Sequence, residues 1–265
     1  FLYFFSFEGL LLYLLALVFV KSLHELGHAY VSKYFGCRVS SIGIAFLVFF
    51  PFLYTDTSDA WRLRDHKDRL LINFAGILTE LHLALISTFL WAVLPDGGLK
   101  SIAFFIATTS WISSLAINVS PFMRFDGYYV FSDWLQAENL QPRSFALARW
   151  QLREILFGFN HKPPEDLNPS RRWTFILYAW LTWVYRFFIF LGIAFLVYHL
   201  AFKVLGIILF VIEIYWFILR PILSEIKNWY NLKSQIRVNK QTIRLYSILI
   251  FLFVILFMPW KSSLK

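Results

Sequence analysis

The segment His24-Glu25-Leu26-Gly27-His28 carries two histidines and a glutamate at a spacing suited to metal chemistry. On a helix, residues four apart lie about one turn apart on one face, so both imidazoles can reach a single metal ion. Glu25 lies beside them and could take a proton from a water molecule that the metal activates. The alternative is a pair of buried, hydrogen-bonded histidines. The motif favours a zinc site in which His24 and His28 are ligands and Glu25 is the general base.

A catalytic zinc usually has three protein ligands and one open position, so a third ligand must come from elsewhere. The strongest context is the segment from Asn118 to Gly127, in which Pro121 removes a helical donor and allows the backbone to open. Asp126, next to the permissive Gly127, could then turn its carboxylate toward the histidines, although an ordinary Asp-Gly turn is the alternative. Other candidates for the third ligand remain open: His66, His82, His161, His199, Asp56 and Asp59.

These residues are embedded in an unusually apolar chain. Of the 265 residues, 59% are hydrophobic and 15% are charged, and the mean hydropathy is +0.61. A soluble domain is usually nearer half apolar and a quarter charged. The composition therefore excludes a soluble globular protein and a disordered one. The single cysteine, Cys37, excludes a disulfide framework and a multi-cysteine zinc site.

The apolar stretches predict an all-α polytopic membrane protein with about six transmembrane helices. They are Gly9–Ala29, Leu70–Leu94, Ser101–Ile117, Trp173–Leu200, Val204–Leu219 and Leu245–Trp260. Between the first two, Val39–Tyr54 is rich in β-branched and aromatic residues, which predicts a short β-like or re-entrant segment. An exposed strand edge there could pair with an extended substrate, and a plain packing element is the alternative.

The basic residues indicate the orientation of the chain in the membrane. Its net charge is +9, and the segments 33–69, 124–172 and 220–244 hold six, seven and six Lys and Arg residues. If six spans alternate, all three segments lie on one side, which the positive-inside rule assigns to the cytoplasm. Ile222–Arg244 is typical of an interfacial helix in contact with anionic membrane lipids, or of a solvated loop. The charge therefore requires no nucleic acid as a partner.

Two motifs together resemble a known family. H-E-x-x-H followed by N-x-x-P-x-x-x-x-D-G, here Asn118 to Gly127, is similar to the site-2 proteases, intramembrane zinc metallopeptidases. The resemblance covers roughly residues 9–135. It implies that His24, His28 and Asp126 bind zinc and that Glu25 is the general base. It also implies that Asn118 contacts the substrate backbone.

The chain departs from that family between the two motifs. Where the family often carries G-P-x-x-N, this chain has Gly76-Ile77-Leu78-Thr79-Glu80. A carboxylate inside a span needs a partner. Glu80 could bind substrate, tune the metal-activated water, or form an ion pair with His82 or Arg186.

This departure and the segment from Phe50 to Arg62 resemble the bacterial peptide zinc metalloproteases associated with HlyD-like export adaptors. The resemblance implies a multi-pass protein of the bacterial inner membrane, with its active site toward the cytoplasm. Its implied partners are a membrane-bound peptide substrate and the adaptor or transporter subunits of an export system. It also implies a longer natural protein, in which Met258–Lys265 leads into an extracytoplasmic module. Because residue 1 is a phenylalanine at the start of an apolar run, we also expect the chain to lack its first residues.

The expected organisation is a metalloprotease core over residues 1–135, a cytoplasmic loop over 136–172 and C-terminal transmembrane helices over 173–265. The expected function is a zinc-dependent intramembrane endopeptidase that hydrolyses membrane-bound peptides or proteins. The alternatives are a non-catalytic zinc-binding scaffold or peptide-binding component of an export or efflux assembly, and a transporter with a structural metal. Glu25 favours the enzyme because a base has little purpose beside a structural metal.

Overall fold

The computed structural model of the chain describes residues 7–47, 50–200, 203–233 and 239–257. The chain divides into two compact units, Phe1–Glu138 and Asn139–Lys265. The first unit contains α1 (Phe7–Tyr34), β1 (Ile42–Leu47), β2 (Phe50–Thr55), a 3₁₀ turn (Ser58–Arg62), α2 (His66–Val93), α3 (Gly98–Trp111), a π-helical segment (Ile112–Asn118) and α4 (Asp126–Trp134). The second unit contains α5 (Leu140–Phe157), α6 (Pro169–Leu200), α7 (Lys203–Glu213), a π-helical segment (Ile214–Leu219), α8 (Arg220–Asn231) and α9 (Lys240–Phe257).

The helix that carries the histidine motif ends at Tyr34, two residues before Gly36. This glycine has a φ of 74°, the left-handed conformation that favours glycine after a helix. The amide of Gly36 donates to the carbonyl of Lys33, and the amide of Cys37 donates to that of Ser32. These two bonds satisfy the last carbonyls of α1 and turn the chain toward β1.

The predicted β-like segment is an antiparallel hairpin. β1 pairs with β2 in a register that places Ile44 opposite Leu53 and Gly43 opposite Tyr54. β2 contacts α1, and the hydroxyl of Thr55 donates to the carbonyl of Glu25 at 2.9 Å. The hairpin is therefore attached to α1 beside the histidine motif.

Helices α1, α2 and α3 pack against one another, and α4 packs on α2. The close approach of α1 to α2 depends on Gly27, because a Cβ there would collide with Thr79 and crowd the carbonyl of Ala75. The glycine inside the H-E-x-x-H motif thus has a packing role. It lets α2 approach the face of α1 that carries both histidines.

The second unit contains ion pairs that join its own helices and loops. Arg153 makes three hydrogen bonds of 2.8–3.0 Å with the carboxylate of Glu225, which joins α5 to α8. Arg143 of α5 binds Glu165 in the following loop through two nitrogens. That bond holds the pKa of Glu165 below its usual value, against a smaller opposing effect of burial.

Four helices within the described residues are long and apolar enough to cross a membrane. They are Phe7–Tyr34, His66–Val93, Pro169–His199 and Lys203–Asn231. The mostly helical membrane architecture agrees with the sequence, whereas the count of six spans and the division at residues 135 and 172 stay predictions. Met258–Lys265, expected to lead into a further module, lies outside the described residues.

Candidate metal centre

Three side chains from two helices converge on one point. His24 and His28 project from α1, and Asp126 is the first residue of α4. Nε2 of His24 lies 3.2 Å from Nε2 of His28 and 2.9 Å from Oδ2 of Asp126. The same Oδ2 lies 3.5 Å from Nε2 of His28. The sequence-predicted ligands are therefore adjacent, with both histidines buried.

The spacing of these three atoms matches that of zinc ligands. Zinc–nitrogen and zinc–oxygen bonds near 2.0–2.1 Å in a tetrahedral site place neighbouring ligand atoms about 3.3 Å apart. The three observed separations of 2.9, 3.2 and 3.5 Å bracket that value. One small ion at the centre of the triangle would be within bonding reach of all three atoms.

The other ring nitrogens show which way the imidazoles present their lone pairs. Nδ1 of His28 lies 2.8 Å from the carbonyl oxygen of Ile72, which can only accept, so Nδ1 carries a proton and Nε2 is the nitrogen that faces the cluster. Nδ1 of His24 lies 3.0 Å from Oε1 of Glu80, another acceptor, although its N–H is not aligned for a regular hydrogen bond. Both Nε2 atoms are thus positioned as electron-pair donors.

The carboxylate of Asp126 indicates whether a cation fits between the three side chains. Oδ2 of Asp126 is buried and accepts no hydrogen bond. A buried carboxylate oxygen without a partner is costly, and this one lies 2.9 and 3.5 Å from the Nε2 atoms of His24 and His28. A positive charge, either a metal ion or a proton on an imidazole, must therefore lie among these three atoms. The donor set, two imidazoles and one carboxylate, is one that zinc accepts.

Two glycines make room for this cluster. A Cβ on Gly76 of α2 would collide with the imidazoles of both His24 and His28. A Cβ on Gly127 would collide with the backbone of Val119 and crowd the carbonyl of Asn118, so this glycine lets α4 start against the preceding turn. The chain opens between Asn118 and Asp126, as Pro121 predicts, and α4 then begins with the third candidate ligand.

A cavity of about 550 Å³ adjoins the cluster. Glu25, His28 and Asp126 line one part of it, and residues 53–56 of β2 and its continuation line another. The space can hold several residues of an extended peptide. Glu25 is half-buried and borders the same cavity as two of the candidate ligands.

The lining of the cavity also has a polar part. It contains Arg69, Asn73 and Asp133, and Arg69 lies over the ring of Trp61 at 5.3 Å from its centroid. Asn73 donates to the carboxylate of Asp133 at 2.7 Å. Burial raises the pKa of Asp133, and Arg69 and Asn73 partly oppose that shift. Sequence reasoning did not single out these residues, because they are brought together from separate helices.

Glu80 and Asn118, the sequence-predicted substrate contacts, are both buried and contact each other. Nδ2 of Asn118 donates to both carboxylate oxygens of Glu80 at 3.0 and 3.1 Å. Glu80 forms an ion pair with Lys21 at 2.8 Å. The alternative of a pair with His82 is wrong, because His82 bonds the carbonyl of Leu78 instead. The alternative of a pair with Arg186 stays a prediction. A lysine inside an apolar span, one turn before His24, was the signal that could have identified Lys21 as a partner.

Among the described residues, the one group of three or more potential ligands that could hold a metal is His24, His28 and Asp126. The other candidates for the third ligand are placed otherwise. Asp56 borders the cavity, Asp59 binds the backbone amide of Arg38, and His199 bonds the carbonyl of Phe195. The ligand and base roles themselves stay predictions.

Comparison with known proteins places the chain in a family. The sequence model of peptidase family M50 matches residues 12–258, which is most of the chain. The chain belongs to peptidase family M50. This is the site-2 protease family, so the resemblance drawn from the two motifs is confirmed at the level of the family. No curated protein and no solved structure matches the chain.

Membership in family M50 indicates a membrane metallopeptidase and implies zinc as its metal. Both agree with the apolar helices and with the cluster of two histidines and an aspartate. The finer assignment to the branch associated with export adaptors is not part of this result.

Proposed function

We propose that this chain is a zinc-dependent intramembrane endopeptidase. The observation that carries the proposal is the convergence of His24 Nε2, His28 Nε2 and Asp126 Oδ2 beside a cavity that Glu25 also borders. Hydrolysis needs an electrophilic centre, a base and room for a peptide. The candidate metal centre, Glu25 and the cavity are the features proposed to supply them.

In this proposal His24, His28 and Asp126 hold the metal. A bound zinc ion polarises a carbonyl group and makes a water molecule acidic enough to be deprotonated near neutral pH. Glu25 takes the proton from the attacking water and later delivers it to the leaving amine. Thr55 restrains the carbonyl of Glu25, which keeps that turn of α1 beside β2.

The substrate is a membrane-bound peptide or protein in an extended conformation. A helical peptide hides its carbonyl groups in internal hydrogen bonds, so the scissile segment must unwind before attack. β2 borders the cavity and belongs to a two-stranded sheet within the described residues, so an added strand could pair with it. Main-chain pairing would place a peptide carbonyl near Glu25, and Asn118 and Glu80 remain proposed substrate contacts.

The proposed setting is the bacterial inner membrane, with six spans and the active site toward the cytoplasm. The three basic segments support this orientation through the positive-inside rule. An Arg149→Cys variant in a Cys37→Ser background should resist a membrane-impermeant thiol reagent added to intact cells. External labelling at position 149 would contradict the orientation.

We further propose a link to peptide export, with membrane lipids and adaptor or transporter subunits as partners. This rests on the resemblance of Glu80 and of the segment from Phe50 to Arg62 to the HlyD-associated branch. A non-catalytic zinc-binding scaffold of such an assembly is the second candidate, because the same ligands could hold a metal without hydrolysis.

The deciding experiment compares Glu25→Gln with His24→Ala in purified protein reconstituted into vesicles. The probe is a pool of synthetic transmembrane peptides, and new peptide ends are read by mass spectrometry. Glu25→Gln should keep its zinc and lose cleavage, because the amide cannot act as a base. His24→Ala should lose both. Equal cleavage by Glu25→Gln and wild type would overturn the enzyme, and zinc binding without any wild-type cleavage would favour the scaffold.

A further inference from the structure

The carboxylate of Glu80 occupies the side of His24 that faces away from the candidate metal. Glu80 is fully buried on α2, with 0% of its surface exposed. Its Oε1 lies 3.0 Å from Nδ1 of His24, whereas the Nε2 of the same ring faces His28 and Asp126. Glu80 does not line the cavity that contains Glu25. Its contacts are therefore with the back of a candidate ligand.

Three donors besides His24 surround this carboxylate and fix its position. Lys21 lies 2.8 Å from Oε1, the hydroxyl of Ser113 donates at 3.1 Å, and the amide of Asn118 donates to both oxygens. A buried carboxylate with this many donors is held in one orientation. Because Glu80 lies on α2 and its donors lie on α1 and on the segment after α3, its position depends on the packing of all three.

The π-helical segment explains how Ser113 and Asn118 reach the same carboxylate. Its amide-to-carbonyl bond from Val119 to Ser114 spans five residues. Winding of this kind brings residues five apart closer to one face than an α-helix does. Ser113 and Asn118 are five apart, and both donate to Oε1 of Glu80.

We propose that Glu80 is a positioning residue, which orients the His24 imidazole toward the metal with Lys21 balancing its charge. This inference rests on the zinc site of the proposed function. A carboxylate behind a ligating histidine fixes the ring's tautomer and orientation and makes the ligating nitrogen more basic. Lys21 lies on the same face of α1, one turn before His24, and it cancels the added negative charge.

The test measures zinc affinity by competition with a chelator, in detergent-purified protein. Glu80→Gln is nearly isosteric but removes the charge, and it should raise the zinc dissociation constant roughly 10–100-fold. The absorption spectrum of the cobalt-substituted variant should also change, because the His24 ring is less constrained. Neither readout requires catalytic turnover.

Thr88→Val is the matched control. Thr88 lies two turns further along α2, and it accepts a hydrogen bond from the indole of Trp111 on α3 at 3.1 Å. The substitution removes a polar contact between α2 and α3 without touching a candidate ligand. Its zinc dissociation constant should stay within about twofold of wild type, since outer contacts act on the metal through its ligands.

Several results would overturn the inference. One is a Glu80→Gln variant with wild-type zinc affinity and cobalt spectrum, and another is a Thr88→Val variant weakened as much as Glu80→Gln. If Glu80→Gln does not fold, the zinc affinity of the double variant Lys21→Met/Glu80→Gln is measured instead, since that variant leaves no unpaired buried cation. Tenfold or greater weakening in the double variant supports the inference, and wild-type affinity overturns it.

The outcomes also separate this inference from the proposed function. A wild-type protein that binds no zinc, or that keeps its zinc in His24→Ala, overturns the proposed metal centre itself. A wild-type protein that binds one zinc and loses it in His24→Ala, with Glu80→Gln unaffected, overturns only the positioning role.

Discussion

Each unit of this protein contains a carboxylate that is buried against basic side chains. In the first, Glu80 is fully buried and contacts Lys21 and a candidate ligand, His24. In the second, Glu225 is buried against Arg153, with Arg149 at 3.8 Å. Glu80 contacts His24, one of the three residues that could hold a metal, whereas the carboxylate of Glu225 binds Arg153 of its own unit.

The difference shows that burial and charge pairing alone do not mark a functional carboxylate. The bidentate contact between Arg153 and Glu225 satisfies both partners and joins two helices. The carboxylate of Glu80 contacts both Lys21 and His24, and the Nε2 of that histidine faces His28 and Asp126. What distinguishes Glu80 is that one of its neighbours is a candidate metal ligand.

The largest difference in zinc affinity is expected between two variants, one in each unit, in which a carboxylate is replaced by the corresponding amide. Asp126→Asn removes the anionic member of the candidate metal centre and should weaken zinc binding on the order of 100-fold or more. Glu225→Gln should leave zinc affinity unchanged. Metal content after dialysis and chelator competition measure both. Equal zinc binding in Asp126→Asn and wild type would remove Asp126 from the ligand set.

Two glycine substitutions should separate the units in a second way. Gly76→Ala places a methyl group against both imidazoles and should lower both zinc affinity and stability, by about 1–3 kcal/mol for overpacking. Gly192→Ala lies on α6, where a Cβ meets nothing within 4 Å. It should leave stability unchanged or raise it by up to about 1 kcal/mol.

Thermal unfolding in detergent, with and without zinc, compares these two variants. If Gly76→Ala bound zinc like wild type, the space around the imidazoles would not depend on the glycine. If Gly192→Ala destabilised the protein as much as Gly76→Ala, the effect at both positions would come from a change in helix flexibility and not from contacts of the added methyl group.

A smaller effect is expected from Arg153→Met in the second unit. The variant removes three charge-assisted hydrogen bonds from Glu225, whose side chain is 12% exposed. Because the side chain of Arg153 is 27% exposed and water screens part of the interaction, the loss should be about 1–3 kcal/mol. Thermal unfolding measures the loss, and zinc affinity should not change. A coupled loss of zinc affinity would contradict the assignment of this pair to structure alone.

The smallest effect should come from Glu165→Gln and should depend on pH. The Arg143 guanidinium holds the pKa of Glu165 below its usual value, so the pair stabilises the fold fully above the unfolded pKa of about 4.3. That contribution is lost as the pH falls through the lower folded pKa. The pair is partly exposed, so the variant should cost less than about 1 kcal/mol at pH 7.

Unfolding of wild type and Glu165→Gln at pH 7 and at pH 3 tests this sign. The difference between the two proteins should shrink at the lower pH. A difference that grows on acidification would mean that the carboxylate is not stabilised by Arg143.

The sequence by itself determined the candidate ligands and the character of the chain. His24 and His28 follow from helical periodicity, because a spacing of four fixes both on one face whatever surrounds the helix. The opening of the chain at Pro121 and the end of α1 just before Gly36 follow from the backbone limits of proline and glycine. The apolar composition of the chain was enough to predict membrane-spanning helices.

The tertiary structure alone decided which residues surround these ligands. Three separate segments carry Lys21, Glu80 and the pair Ser113 and Asn118. Their meeting depends on how each helix is rotated about its axis and how closely the helices pack. Every face of an apolar span is hydrophobic, so the hydropathy pattern does not show which face packs against which neighbouring helix. Gly27 and the π-helical segment set the approach and rotation of the helices, and only the packed helices therefore place Glu80 behind His24.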